Sequence, residues 1–100
     1  MIIDDELYDN LLDAIHNFES LIRINVFNRE QNNTLHIFGK EFFSLCKSKN
    51  LNLNLSDVTN LPSYNNLLDE AGNSRSYIIK QFERFFEEWI IPSKIEIYGY

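Results

Sequence analysis

The sequence predicts a small α+β domain in which residues 1–100 form a single compact unit. Two helical patterns, near the start and near the end of the chain, enclose a stretch in which apolar and polar residues alternate. With 44% apolar, 24% charged and 14% aromatic residues, the composition is that of one globular domain. An all-helical bundle of four to five helices is the alternative fold.

An amphipathic helix is predicted at the N-terminus, because apolar residues recur there at steps of three and four positions. Asp4 is a suitable N-cap for it, and carboxylates in a first turn are favoured by the helix dipole. We expect the helix to end near residues 21–23, because a continuation to Phe27 would place Ile24 on its polar face. The predicted apolar stripe consists of Leu7, Tyr8, Leu11, Leu12, Ile15, Phe18 and Ile22.

The segment after this helix predicts a β-hairpin. Residues 23–27 and 34–37 alternate with period two, and residues 29–33 between them are turn formers. In the competing interpretation a second helix begins at Thr34, and only Ile37 falls outside its apolar face.

Short elements follow in the middle of the chain. Gly39 is expected to end the hairpin, and a helix is predicted over residues 40–49. Residues 51–55 alternate between Leu and Asn, which predicts a half-buried strand, although a leucine-rich loop would show the same pattern. We expect Ser56 to cap a helical turn that extends to Asn60.

Two further helices are predicted. Pro62 is expected to interrupt the chain, and Ser63 to cap a short helix over residues 64–71 that ends at Gly72. A long helix runs from Ser74 to Ile90, and residues 94–98 alternate as a final strand. The apolar stripe of the long helix, for which core packing is favoured over a partner-binding groove, contains Ile78, Ile79, Phe82, Phe85, Phe86, Trp89 and Ile90.

The net charge of −6 is concentrated at the N-terminus. Residues 1–22 hold six acids and no Lys or Arg, whereas the remaining residues hold nine acids and nine bases. At about 100° per residue, Glu6, Asp9 and Asp13 share the centre of the polar face of the first helix, with His16 at its border. The pattern predicts a solvated acidic face.

The sequence contains no motif for phosphate binding, for nucleophilic catalysis or for a complete metal site. Gly39, Gly72 and Gly99 are isolated, so no phosphate-binding glycine loop is expected, and Cys46 is the only cysteine and predicts a buried, inert thiol. The best metal candidate, Asp9 with Asp13 and His16, lacks a second ligating helix. We therefore expect no enzymatic activity, no cofactor and no bound metal.

The charge distribution favours a basic protein as partner. Direct nucleic-acid binding requires excess positive charge on one face, and the amphipathic segments carry acids where a membrane-surface helix carries bases, so neither partner is expected. The opening residues lack a secretory or transit signal, which predicts a cytoplasmic location.

In size, acidity and lack of catalytic residues the chain resembles small bacterial immunity proteins as a class. The functional hypothesis is an inhibitor of the immunity or antitoxin type that covers the cationic surface of a nuclease-like toxin. The alternatives are an adaptor subunit that docks through its C-terminal strand and the aromatic residues of 98–100, and an acidic face that serves solubility alone. The predicted partner-binding residues are Asp5, Glu6, Asp9, Asp13, His16, Glu83, Glu87 and Glu88.

Overall fold

The computed structural model describes residues 5–25 and 32–92, and every regular element in these two ranges is helical. The α+β prediction is therefore wrong, and the described residues form the all-helical architecture of the alternative. The predicted strand at 94–98, the aromatic residues at 98–100 and the Asp4 cap lie outside the described residues. The helices are α1 (Asp5–Asn25), α2 (Asn32–Ser48), α3 (Leu55–Thr59), α4 (Pro62–Ala71) and α5 (Arg75–Phe85).

The four longer helices contact one another in the cyclic order α1, α2, α4, α5. A 3₁₀ turn, Gly72–Ser74, joins α4 to α5, and a π-helical turn, Phe86–Ile90, continues α5 without a break. The predicted long helix from Ser74 to Ile90 is thus helical throughout, but it does not end at Ile90, because residues 91 and 92 are helical as well. Because each long helix has two neighbours, each presents two packed flanks and one outer face.

Helix α1 extends beyond the end predicted for it. Ile24 lies on the polar face and is 82% exposed, while Ile22 is fully buried. The Asn25 side-chain amide donates a hydrogen bond to the Leu21 carbonyl at 2.8 Å and satisfies one of the carbonyls at the helix end. One isoleucine in water is ordinary for a folded protein, so it does not stop the helix.

Helix α2 replaces the second strand of the predicted hairpin and the separate helix predicted over 40–49. Gly39 lies inside α2 and does not end a hairpin, and Ile37 is exposed, as in the competing interpretation. This segment is a helix and not a strand, because steps of three and four residues bring its large apolar side chains to the core. The buried positions are Leu35, Phe38, Phe42 and Cys46.

Residues 51–54 of the predicted strand are a loop that closes the end of α2, and Leu55 begins α3. The backbone N–H of Leu51 donates to the Cys46 carbonyl at 2.8 Å, and that of Asn50 donates to the Lys47 carbonyl at 3.2 Å. This is a Schellman motif, with Asn50 at φ 51° and an apolar contact position at Leu51. Leu51 and Leu53 are buried although neither belongs to a strand, so the leucine-rich-loop alternative is the correct one.

Helices α3 and α4 each begin two residues earlier than predicted. Asn54, not Ser56, precedes α3, and its N–H donates to Asp57 Oδ2 at 2.8 Å. Pro62 was predicted to interrupt the helical segment, but it begins α4. Proline suits the first helical position, where no backbone N–H is needed. Ser63 is therefore a buried helical residue and not a cap.

Phe82 occupies the centre of the core. It is 1% exposed, and its ring lies 5.2 Å from that of Phe42 and 5.7 Å from that of Phe18, measured between centroids. Most of its ring neighbours are tilted or edge-on, the arrangement that aromatic quadrupoles favour. The rings around Phe82 come from all four long helices and the π turn: Phe18, Phe38, Phe42, Tyr64, Phe85 and Phe86.

We expect Phe82→Ala to lower the free energy of unfolding by about 3–5 kcal/mol, because it removes a buried ring from contact with every long helix. Ile37→Ala on the exposed side of α2 is the matched control and should change it by about 0.5 kcal/mol or less. Urea unfolding followed by circular dichroism measures both. Equal effects of the two substitutions would contradict the central position of Phe82.

Candidate functional site

Three carboxylates on the outer face of α1 remain exposed to solvent. Glu6, Asp9 and Asp13, which we call the acidic face, point away from both packed flanks of the helix. Throughout residues 5–25 and 32–92, no Lys or Arg nitrogen lies within 4.0 Å of these carboxylates. The predicted solvation of the acidic face is confirmed, and its role in partner binding stays a prediction.

The other predicted contact residues are distributed over several surfaces. Asp5 begins α1, but its side chain lies outside the described part of the structure, and His16 is exposed on the flank that faces α2. Glu83 lies on the side of α5 that faces α4. The pKa of the Tyr64 hydroxyl on α4 is raised, first by the burial of Tyr64 and second by the negative charge of Glu83. The structure therefore does not bring all eight predicted residues into one patch.

The predicted acidic residues of α5 and the π turn lie beside a positively charged side chain. Glu83, Glu87 and Glu88 are exposed on α5 and the π turn, but Arg84 Nη2 lies 3.6 Å from Glu88 Oε1, four residues along the helix. An exposed pair of this kind contributes little to stability, yet it reduces the net field at this surface. The acidic face of α1 is thus the stronger source of negative potential.

A groove of about 470 Å³ lies between α1 and α5. Phe18 and Phe85 are buried at its base, whereas Leu21 and Trp89 are 40% and 42% exposed along its sides. Asn17, one turn beyond Asp13 on α1, also lines it. Gln81 and the Arg84–Glu88 pair line it as well. This α1–α5 groove therefore places a mixed surface, with exposed apolar side chains at Leu21 and Trp89, beside the acidic face.

The outward position of Trp89 corrects the prediction that it faces the core. The π turn at residues 86–90 contains an extra residue per turn, which rotates the positions that follow Phe86. Ile90 takes the buried position instead, and Trp89 turns toward α1. A partner-binding groove was the less favoured interpretation of this stripe, and Trp89 is the member of the stripe that lies exposed along the α1–α5 groove.

On the opposite flank of α1, a buried carboxylate lines a small cavity against α2. Glu19 is only 5% exposed, and the cavity has a volume of about 140 Å³. Its walls are apolar at Leu12, Ile15 and Phe43. In the described ranges no group donates a hydrogen bond to the Glu19 carboxylate, and a nitrogen of a basic side chain, His36 Nδ1, lies 4.0 Å from Oε2.

Burial dominates the protonation of Glu19. Desolvation raises the pKa of this carboxyl group, and His16, His36 and Arg23 oppose the shift through their charges without cancelling it. The carboxyl group is therefore easier to protonate than an exposed glutamate, and its ionised form is stabilised poorly by the fold.

Gly39 explains how α1 and α2 approach closely enough to enclose Glu19. A Cβ atom added at Gly39 would overlap Glu19 Oε1, and it would also lie 3.5 Å from Ile15. The absence of a side chain at this position is thus what allows the carboxylate to pack against the backbone of α2.

Sequence reasoning missed Glu19 and treated it as one more acid of the N-terminal segment. A signal was present, because at about 100° per residue Glu19 falls between Tyr8 and Leu12, inside the apolar stripe. An acid within an apolar stripe indicates either a buried carboxylate or a break in the helix. The partner position, Gly39, was assigned to the end of a hairpin, so the pairing was not expected.

Other reactive groups have ordinary surroundings. Burial raises the pKa of the Cys46 thiol to about 12, which makes it a poor nucleophile. Within the described ranges, no three His, Cys, Asp or Glu side chains are arranged to hold a metal ion, so the Asp9, Asp13 and His16 candidate is not assembled.

Comparison with known proteins adds no assignment. No protein-family model, no curated protein and no solved structure matches this chain. Among the helices of the described ranges, none combines the length and the apolar character that crossing a bilayer requires.

We expect Glu19→Gln to stabilise the protein at neutral pH, because it removes a buried charge to which no described residue donates a hydrogen bond. The pKa of Glu19 is higher in the folded than in the unfolded state. Glu19 therefore stabilises the fold fully at a pH below the ordinary carboxyl pKa, and this stabilisation is lost as the pH rises through the pKa of the folded state. The advantage of the glutamine variant should therefore shrink as the pH falls from neutral through the folded value, and it should be smallest at about pH 4 and below.

Thermal unfolding of both proteins between about pH 3 and 8 measures this difference, since the range spans the ordinary carboxyl pKa. Glu41→Gln, at an exposed carboxylate of α2, is the control and should give no comparable pH-dependent gain. A Glu19→Gln variant that is less stable than the wild type at neutral pH would show that the ionised carboxylate is stabilising.

Proposed function

We propose that this chain is a non-enzymatic inhibitor of the immunity or antitoxin type, which acts in the cytoplasm and covers the cationic surface of a nuclease-like protein. The observation that carries this proposal is the exposed acidic face on α1. In the described structure Glu6, Asp9 and Asp13 are exposed together, and none of them has a cationic side chain within 4.0 Å.

Exposed charge supports an intermolecular function for these carboxylates. A cluster of one sign accelerates encounter with a surface of opposite sign by roughly 10–10³-fold at low ionic strength. Active surfaces that hold nucleic acid carry an excess of Lys and Arg, since they neutralise phosphates. An acidic protein that covers such a surface competes with the nucleic acid for the same cations.

The α1–α5 groove supplies the apolar anchor that such an interface needs. Charge alone favours rapid and weak association, whereas buried aromatic and aliphatic contacts slow dissociation. Leu21 and Trp89 are exposed on the two sides of this groove, and Asn17 connects it to Asp13 along α1. A basic partner with an apolar side chain between its cationic groups would contact both features at once.

The rest of the fold leaves α1 available for this role. Its inner side contributes Leu11, Ile15, Phe18 and Ile22 to the core, so the helix is held firmly while its outer face stays free. A preorganised helix face reduces the ordering cost of association. The interface can therefore form without refolding of the described residues.

The double reversal Asp9→Lys and Asp13→Lys tests the proposal. We expect the free energy of unfolding to stay within about 1 kcal/mol of the wild type, since both positions are exposed. Capture of the partner from the native cell should be abolished, because the variant repels a cationic surface. The captured partner should be a basic nuclease whose activity the wild-type chain blocks at equimolar amounts and the variant does not.

The matched control is the double reversal Glu41→Lys and Asp69→Lys, which changes the net charge equally at exposed carboxylates of α2 and α4. This control should retain capture and inhibition. If both double variants lose capture equally, overall charge rather than the acidic face is responsible. If neither loses it, α1 is outside the interface.

A further inference from the structure

We propose that the cavity between α1 and α2 is a binding site for a guanidinium-type cation, which pairs with the buried carboxylate of Glu19. The site lies on the flank of α1 away from the α1–α5 groove, and it does not depend on the proposed function. It is assembled from a carboxylate on α1 and a wall of α2, and Gly39 lets the two helices approach each other.

The chemistry of Glu19 requires hydrogen-bond donors. A carboxylate has room for several donors, yet in the described ranges none donates to it, and its side chain is 7% exposed. Buried carboxylates are normally paired or hydrogen-bonded, because an uncompensated buried charge is costly. A ligand that brings both a positive charge and N–H groups would satisfy this side chain.

The size of the cavity fits the charged group of such a ligand. A volume of about 140 Å³ corresponds to roughly four or five water molecules at about 30 Å³ each. A guanidinium group, with one carbon and three nitrogens, has a similar size. Its planar N–H groups match a carboxylate in a bidentate geometry, and it is less strongly hydrated than an ammonium ion, so it enters a cavity more readily.

The walls favour an organic cation over a metal ion. Leu12, Ile15 and Phe43 line the cavity and can contact the apolar part of a ligand, and the half-buried Phe43 ring can interact with a cation. A divalent metal would need further ligands, and no three-ligand group exists in the described ranges.

The remaining charged groups around Glu19 predict how binding depends on pH. From α1 these groups are His16 and Arg23, and from α2 they are His36 and Lys40. These groups contribute positive charge around the cavity, whereas protonation of Glu19 itself removes the negative charge with which the ligand pairs. Because burial raises the pKa of Glu19, cation affinity should fall as the pH is lowered through that raised value.

Titration of the isolated chain with methylguanidinium chloride, followed by the backbone amide shifts of Gly39 and Ser44, tests the site. We expect saturable shifts near pH 8 and a clearly lower affinity near pH 4, at the ordinary carboxyl pKa, where the raised pKa keeps Glu19 largely protonated. Glu19→Gln should lower the affinity at least roughly tenfold, the loss expected for a charge-assisted pair, whereas Asp13→Asn, which removes the same charge from the exposed face, should not. Tetramethylammonium, which has no N–H group, should not bind.

The source of the guanidinium group is distinguished by a second probe, Nα-acetyl-arginine amide. Comparable binding of this probe indicates that the site accepts an arginine side chain of a protein, and binding of methylguanidinium alone indicates a free small cation. The proposal is overturned if neither probe gives saturable shifts, or if Glu19→Gln binds them as well as the wild type. The partner-capture experiment is independent of either result.

Discussion

The aromatic cluster around Phe82 is the contact on which the rest of the structure depends. Its ring meets rings from α1, α2, α4 and the π turn, so one side chain holds the four long helices in their cyclic order. The hydrophobic effect supplies the driving force, and the tilted ring geometry selects one arrangement. Once Phe18 is held in this cluster, the orientation of α1 is determined, and with it the direction of the acidic face.

Helix α1 has a different environment on each of its sides. The core lies beneath it, the Glu19 cavity lies toward α2, the α1–α5 groove lies toward α5, and the acidic face is directed at solvent. The π turn contributes to this division, because it moves Ile90 into the core and Trp89 toward α1. One amphipathic helix therefore combines structural, polar and charged surfaces within about six turns.

The sequence predicted the elements whose signal is local. The α1 and α5 stripes are long and regular, so their helices and the exposure of Asp9 were predictable. Helix α2 was not predictable, because a short run of alternating residues occurs in both strands and helices. Gly39 was interpreted as the end of a hairpin, although it lies inside α2 and allows the close contact with Glu19. Trp89 was misplaced because a π turn has no simple sequence signal, and the burial of Glu19 depends on a second helix.

The association rate with the captured basic partner, measured as a function of ionic strength, tests electrostatic docking through α1 most directly. The Debye length falls from about 10 Å at about 0.1 M to about 3 Å at about 1 M, so attraction by exposed carboxylates should weaken steeply over this range. We predict a decrease of about tenfold or more in the association rate of the wild type. A rate that does not change with ionic strength would contradict the account.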